Sequence, residues 1–188
     1  MSERELLSRA QHGDKIAYGG LVKLHQDAIF GLVLRQVQDR LTAEELTQDV
    51  FVKAFRNLGS FRGDSKFSTW LYRIAVNVCY DYRGSSKARF KKEEVNIEPE
   101  PGVFLGRVDL GRRPDEEIAT KEMAMAFQNC LDRLEPNYRE AFLLRHQQGL
   151  SYDAIAEVLE ISRSNAKVRV HRAREMILET MRKMGHDV

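Results

Sequence analysis

GLSYDAIAEVLEISRSNAKVRVHRAR, residues 149 to 174, has the layout of two short helices joined by a tight turn. Ser151 can cap the first helix, which would turn Ile155, Ala156 and Leu159 inward, and the small Ala156 would let the two helices approach closely. After a turn at Glu160 to Ser162, a basic helix begins on which Ala166, Val170 and Ala173 can face a core. Lys167, His171 and Arg174 then share an outer face, with Arg163 one turn earlier. Such a helix fits a major groove, where each good Arg or Lys contact to a guanine edge is worth about 1–3 kcal/mol and further cations neutralise phosphates. A charge run alone is more often a solvated helix face. Here the cap, the turn and the apolar register all agree with the basic stripe, which favours DNA binding.

Upstream, residues 84 to 114 carry Gly84, Pro99, Pro101, Gly102, Gly106, Gly111 and Pro114 in a charged stretch with no sustained apolar period, the pattern of a flexible linker. Helical patterns resume at about 115 to 132, 137 to 148, 152 to 159 and 163 to 182, with Pro136 and Gly149 as breaks. Before the linker, Ala17, Leu21, Leu24, Ala28 and Leu32 place one apolar stripe on a helix beginning after Asp14. Thr42 and Glu45 form a capping-box pattern ahead of Leu46, Val50, Phe51, Ala54, Phe55 and Leu58. Beyond the polar turn 60 to 65, Phe67, Leu71, Ile74 and Val78 mark a third helix running to about Arg83. The expected fold is all-α: a helical domain over 1–83, a flexible linker over 84–114, and a second small helical domain over 115–188 that contains the helix-turn-helix.

Composition agrees. The 188 residues are 43% hydrophobic and 31% charged, with four prolines and 9% aromatics, which suits Ala/Leu/Glu/Lys/Arg helices and leaves enough apolar side chains for two small cores. Net charge is only +2, so distribution matters more than total. Five cations and no acid lie between Arg163 and Arg174, and the same holds between Arg83 and Lys92. Cys79 and Cys130 sit at apolar helical positions without a CxxC or a nearby His and read as buried thiols. No apolar run approaches the roughly 18 to 20 residues of a membrane span, and the first residues lack a signal-peptide core, so a cytoplasmic protein is expected.

A second candidate surface lies in FRGDSKFSTWLYRIAVNVCYDYR, residues 61 to 83, where Phe61, Tyr72, Tyr80 and Tyr82 interleave with Arg62, Lys66, Arg73 and Arg83. Aromatic stacking on an unpaired base is worth about 1–3 kcal/mol, so the mixture suits single-stranded or melted nucleic acid. Phe55, Phe67 and Trp70 fall on apolar helical faces and read as core. Asn77, one turn beyond Arg73, can meet a base edge or solvent. Enzyme signatures are missing: no phosphate loop, no HExxH, no GxSxG, and five scattered histidines, so no catalytic residue, metal site or cofactor is expected.

Taken in order, ELTQDVFVKAFRNL (45 to 58), SFRGDSKFSTWLYRIAVN (60 to 77) and the helix-turn-helix resemble the extracytoplasmic-function (ECF) sigma factors of bacterial RNA polymerase over nearly the whole chain. The resemblance implies a transcription initiation factor that directs core polymerase to promoters. Glu45, Gln48 and Asp49, with Lys53 and Arg56 nearby, would dock on the clamp of the largest polymerase subunit. The second domain would meet the flap of the second-largest subunit. Ser60, Phe61, Arg62 and Asp64 would belong to the loop capturing a base flipped from the minus-ten element, beside Tyr72, Arg73 and Asn77. Arg163, Lys167, Arg169, His171 and Arg172 would read the minus-thirty-five element as duplex. An anti-sigma factor, able to hold the chain at the membrane without direct insertion, is the implied regulator. Glu160, Asn165-Ala166 and Val168 depart from the usual family residues, and the promoter sequence stays open. A stand-alone helix-turn-helix regulator, binding operator DNA as a dimer, would explain residues 150 to 174 but leave 60 to 83 unused.

Overall fold

A computed structural model of the chain describes residues 1–85 and 114–185, with side chains of the second stretch described from 123 onward. Among the described residues there are eight α-helices and no strand: α1 (Glu3–Gln11), α2 (Lys15–Val37), α3 (Arg40–Asn57), α4 (Phe67–Gly84), α5 (Pro114–Arg133), α6 (Pro136–His146), α7 (Tyr152–Leu159) and α8 (Arg163–Lys183), with a 3-10 turn at Leu58–Ser60. Most of the expected linker falls outside the described residues. Backbone proximity groups Met1–Val95 with Asp153–Ile161 as one compact unit and Asn96–Tyr152 with Ser162–Val188 as another. In α7 the apolar stripe of Ile155 and Val158 is buried.

The first unit is built on α2. Asp14 caps it by accepting from the amides of Ile16 (2.9 Å) and Ala17 (3.0 Å). The Ala17 amide and the Arg9 guanidinium together hold the Asp14 carboxyl below the usual range. The buried stripe runs through Ala17, Leu21, Ile29, Leu32 and Val33. Leu24, expected on that stripe, is 58% exposed, because the fourfold steps from Ala17 place His25 there instead. His25 faces Glu3 of α1 at 2.8 Å. Helix α1 was not anticipated: it carries only Leu6 and Ala10 inward. It approaches α2 so closely that a Cβ on Gly20 would stand 3.0 and 3.1 Å from the Leu6 methyls.

Helix α3 begins earlier than the Thr42 capping pattern implies. Asp39 is the cap and accepts from the Thr42 amide at 2.7 Å, while Thr42 itself lies buried inside the first turn. A charged carboxylate at the earlier position serves the helix dipole better than a hydroxyl. Helices α2, α3 and α4 pack together around Val50, Ala54, Leu71, Ala75 and Val78. Cys79 is a buried free thiol there, as Cys130 is in the second unit.

Between α2 and α3 the chain turns through Gln38, whose φ is 59° and whose amide donates to the Leu34 carbonyl at 2.7 Å. A side chain in the left-handed region costs roughly 1–2 kcal/mol, partly offset in a glycine variant by a freer unfolded chain. Gln38→Gly is therefore expected to stabilise the protein by about 0.5–1 kcal/mol, a rise in Tm of roughly 1–4 °C readable by thermal denaturation.

In the second unit α8 packs against α5 and α6. Pro136 is not only a break: it is the first residue of α6, where its missing N–H costs nothing. Arg139 satisfies the end of α5, donating to the carbonyls of Leu131 (2.9 Å), Asp132 (2.7 Å) and Leu134 (3.3 Å). Cys130, Leu131, Ala141, Leu144, Ala166, Val170, Ala173, Ile177 and Met181 are buried.

Candidate nucleic-acid and polymerase interfaces

Ser162 caps α8 by accepting from the Asn165 amide at 3.2 Å, and the preceding Glu160 turns the chain with φ 53°. Glycine is the usual resident of such a position, and glutamate holds it here. In α7 Ile155 and Val158 are buried, whereas Ala156 and Leu159, expected inward, are only half-buried. Along α8 the expected register holds: Ala166, Val170 and Ala173 are buried, while Arg163, Lys167, His171 and Arg174 are exposed at spacings of four, four and three.

Tyr152, Arg163, Ser164 and Lys167 line an open depression of about 360 Å³ at the start of this stripe. The Arg145 guanidinium lies 4.8 Å from the Tyr152 ring centre and donates to the Leu150 carbonyl at 2.7 Å, so the ring is backed from behind. Two expected residues stand apart from the stripe. Arg169 is half-buried and donates to Asn165 within the helix at 3.2 Å. Arg172 is exposed and reaches the Tyr138 hydroxyl at 3.4 Å.

The turn after α3 is tied by short bonds: the Ser60 hydroxyl donates to the Asn57 carbonyl at 2.7 Å, and the Phe61 amide to the Leu58 carbonyl at 3.2 Å. Arg62, Gly63 and Asp64 project outward, with Gly63 at φ 81°, a conformation that favours glycine. Phe61, expected at the surface with them, is buried. Its ring centre is 5.5 Å from Phe67 and 5.3 Å from Trp70, so it roots the loop in an aromatic cluster.

Tyr72 is buried as well. It belongs to an inward stripe with Ala75, Val76 and Cys79, and burial pushes its phenol pKa up. Arg73 and Asn77 are exposed, and further along the same helix Tyr80 is 72% exposed. Arg73 is ion-paired with Glu160 of its own compact unit. The surface at the loop is thus Ser60, Arg62 and Asp64 with Arg73 and Asn77; Phe61 and Tyr72 support it from inside.

On α3 Glu45, Gln48, Asp49, Lys53 and Arg56 are all exposed, Lys53 lying 3.3 Å from Asp81. Sequence reading missed their apolar companions. Leu41 (69%), Val52 (46%) and Phe55 (40%) are exposed on the same helix, and Phe55 is not the core residue it was expected to be. The signal was present: 41, 45, 48, 52 and 55 follow steps of four and three, one helix face distinct from the buried 43, 46, 50 and 54. Lys15, Tyr18, Val52, Phe55 and Arg56 border a shallow depression of about 330 Å³ at its end. There Tyr18 donates to the Phe51 carbonyl at 2.6 Å, and burial raises its phenol pKa to about 12, so it stays a neutral donor.

Among the described residues no group of three His, Cys, Asp or Glu side chains could hold a metal ion, and no helix is long and apolar enough to cross a membrane.

An exposed, mixed polar and apolar face on α3, a cation-bearing loop and a basic helix-turn-helix fit a DNA-binding helical protein. Residues 21–89 match the family described as Sigma-70 region 2, and residues 124–177 match Sigma-70, region 4. The chain is 35% identical over 181 residues to the ECF RNA polymerase sigma-E factor of Haemophilus influenzae, covering 94% of each chain. It is 36% identical to the RNA polymerase sigma-H factor of Pseudomonas aeruginosa, covering 93% of this chain and 91% of that one. Among solved structures, CnrH in complex with the cytosolic domain of CnrY is similar, with a TM-score of 0.67, 25% identity and coverage of 96% of this chain and 97% of that chain. The sigma factor RpoE of Bartonella quintana, in complex with the anti-sigma factor NepR, shares the fold with the same TM-score at 24% identity, covering 88% of this chain and 96% of that one. The chain belongs to the ECF sigma factors: it is a non-enzymatic transcription initiation factor whose partners are core RNA polymerase and promoter DNA.

Proposed function

We propose that this sigma factor divides its work among three surfaces. The α3 face with Glu45, Gln48 and Asp49 docks on the clamp of the largest polymerase subunit, with Val52 and Phe55 adding apolar contact. Lys53 and Arg56 border the face. The second domain meets the flap of the second-largest subunit. Ser60, Arg62 and Asp64, with Arg73 and Asn77, take unpaired bases of the minus-ten element, so binding to the extruded strand helps open the duplex. The α8 stripe of Arg163, Lys167 and His171 enters the major groove at the minus-thirty-five element, and Arg169 and Arg172 serve its flanks and phosphates. The chain works in the cytoplasm as a helical domain over 1–83, a linker over 84–114 and a helix-turn-helix domain over 115–188. An anti-sigma partner holds it inactive, a reading supported by the complex of the sigma factor RpoE with the anti-sigma factor NepR.

The observation that carries this division is that one chain exposes an acid-edged, partly apolar face on α3 and, on the first turns of α8, a basic stripe of Arg163, Lys167 and His171 that ends at Glu175, 3.5 Å from His171. A stand-alone dimeric operator binder would leave the region 2 match over 21–89 without a role. Asp49 is exposed, so Asp49→Ala removes a contact without touching a core. The variant is expected to bind core polymerase roughly tenfold more weakly, about 1.4 kcal/mol, with unchanged Tm and unchanged affinity for upstream duplex. Unchanged core affinity, measured by fluorescence anisotropy with labelled chain, would remove Asp49 from the docking face.

A further inference from the structure

We propose that Gln11, at the end of α1, is a positioning residue for the base-capturing loop. This rests on the reading above that the loop from Ser60 to Ser65 meets the melted strand. The Gln11 side-chain amide donates to the Phe61 carbonyl at 2.8 Å and to the Leu58 carbonyl at 3.3 Å. These carbonyls lie at the two ends of the turn that launches Arg62 and Asp64. A primary amide nitrogen carries two hydrogens, enough to serve both ends of the turn from one atom. The clamp sets the separation of the two ends, and with it the direction in which Arg62 leaves the body of the domain.

The clamp has a firm base. Helix α1 is seated on α2 by Leu6 against Gly20, and Arg9 donates to Asp14 at 2.6 Å, closing the turn that contains Gln11. From inside, the Phe61 ring anchors the same turn in its aromatic cluster. The loop's tip therefore stays polar and exposed while its base is fixed twice, by a ring on one side and an amide on the other. A site that must accept one extruded base and refuse others needs a preset backbone more than it needs further contacts.

Gln11→Met keeps the length of the side chain and removes both donors. Gln11→Glu replaces them with a carboxylate facing two carbonyl oxygens, and should do more harm. Gln11 is exposed apart from this contact, so neither change opens a core. The test uses the full chain assembled with core polymerase and a single-stranded oligonucleotide bearing the minus-ten sequence that the unaltered holoenzyme selects from a randomised pool. It measures the preference for that oligonucleotide over one substituted at the extruded base. We expect Gln11→Met to lower this preference about tenfold, the value of one to two lost hydrogen bonds, with Gln11→Glu lower still. Tm should fall by no more than a few degrees, and binding to core polymerase and to upstream duplex should stay unchanged, which a general loosening of the domain would not allow. If Gln11→Met keeps the preference within about twofold while Arg62→Ala and Asp64→Ala lose it, Gln11 has no positioning role and the loop reading stands. If Arg62→Ala and Asp64→Ala also keep it, the loop reading falls and the proposal with it.

Discussion

The double variant Arg163→Ala, Lys167→Ala is expected to bind upstream-element duplex about 2–6 kcal/mol more weakly, a loss of roughly thirtyfold or more, on the basis of about 1–3 kcal/mol for each base or phosphate contact. Both residues lie in the first turns of α8 on the exposed stripe, and both line the depression beside Tyr152. Alanine is the best helix former, and the residues that bury α8 (Ala166, Val170, Ala173, Ile177) are untouched, so the fold should persist. Because two cations leave the interface, the dependence of log K on log salt should also flatten by about two. Electrophoretic or anisotropy titrations at several salt concentrations read both quantities. Core polymerase binding should be unchanged. A variant that kept its duplex affinity and its salt slope would place these residues away from the DNA.

Leu71→Ala carries the second large effect. Leu71 is fully buried on α4, where α2, α3 and α4 meet. Truncating a buried leucine costs about 2–5 kcal/mol, because the methyl groups lose their neighbours and the surrounding helices close the cavity only in part. A typical domain has about 5–15 kcal/mol in total, so denaturation of the full chain by urea should move to markedly lower concentration. Tyr80→Ala on the same helix is the control. Tyr80 is 72% exposed, and its truncation should change stability by no more than about 0.5 kcal/mol. Similar losses from both would mean that α4 does not present the inward and outward faces described.

The contrast between Leu71 and Tyr80 shows what the residues disclose by themselves. Long helices with a repeated apolar step are legible: α2 begins after Asp14 as expected, α4 spans Phe67–Gly84, and α8 buries Ala166, Val170 and Ala173. Helix α1 was not, because nine residues with two inward side chains are too short to repeat an apolar step; Leu6 packs closely against Gly20 of α2. Leu24 and Phe55 failed for a related reason. An apolar residue at the edge of a stripe satisfies the spacing rule either way, and only the neighbouring helix decides whether it is covered.

Of the expected site residues, the charged ones lie at the surface and two of the aromatic ones do not. Arg62, Asp64, Arg73, Asn77, Lys167 and His171 are all exposed, in keeping with their types. Phe61 and Tyr72 lie among cations in the sequence but turn inward, since a loop and a helix can each place adjacent residues on opposite sides. The link between Gln11 and the turn fifty residues away has no sequence signature. A lone glutamine near a chain's beginning shows a partner only when the carbonyls of Leu58 and Phe61 are seen beside it.

Run-off transcription with purified core polymerase and promoter-bearing fragments, with and without the chain, bears most directly on the role assigned to it. Promoter-specific transcripts that appear only when the chain is added, together with its co-purification with core, are the predicted result. A chain that binds duplex DNA alone, does not associate with core and yields no specific transcript would contradict it.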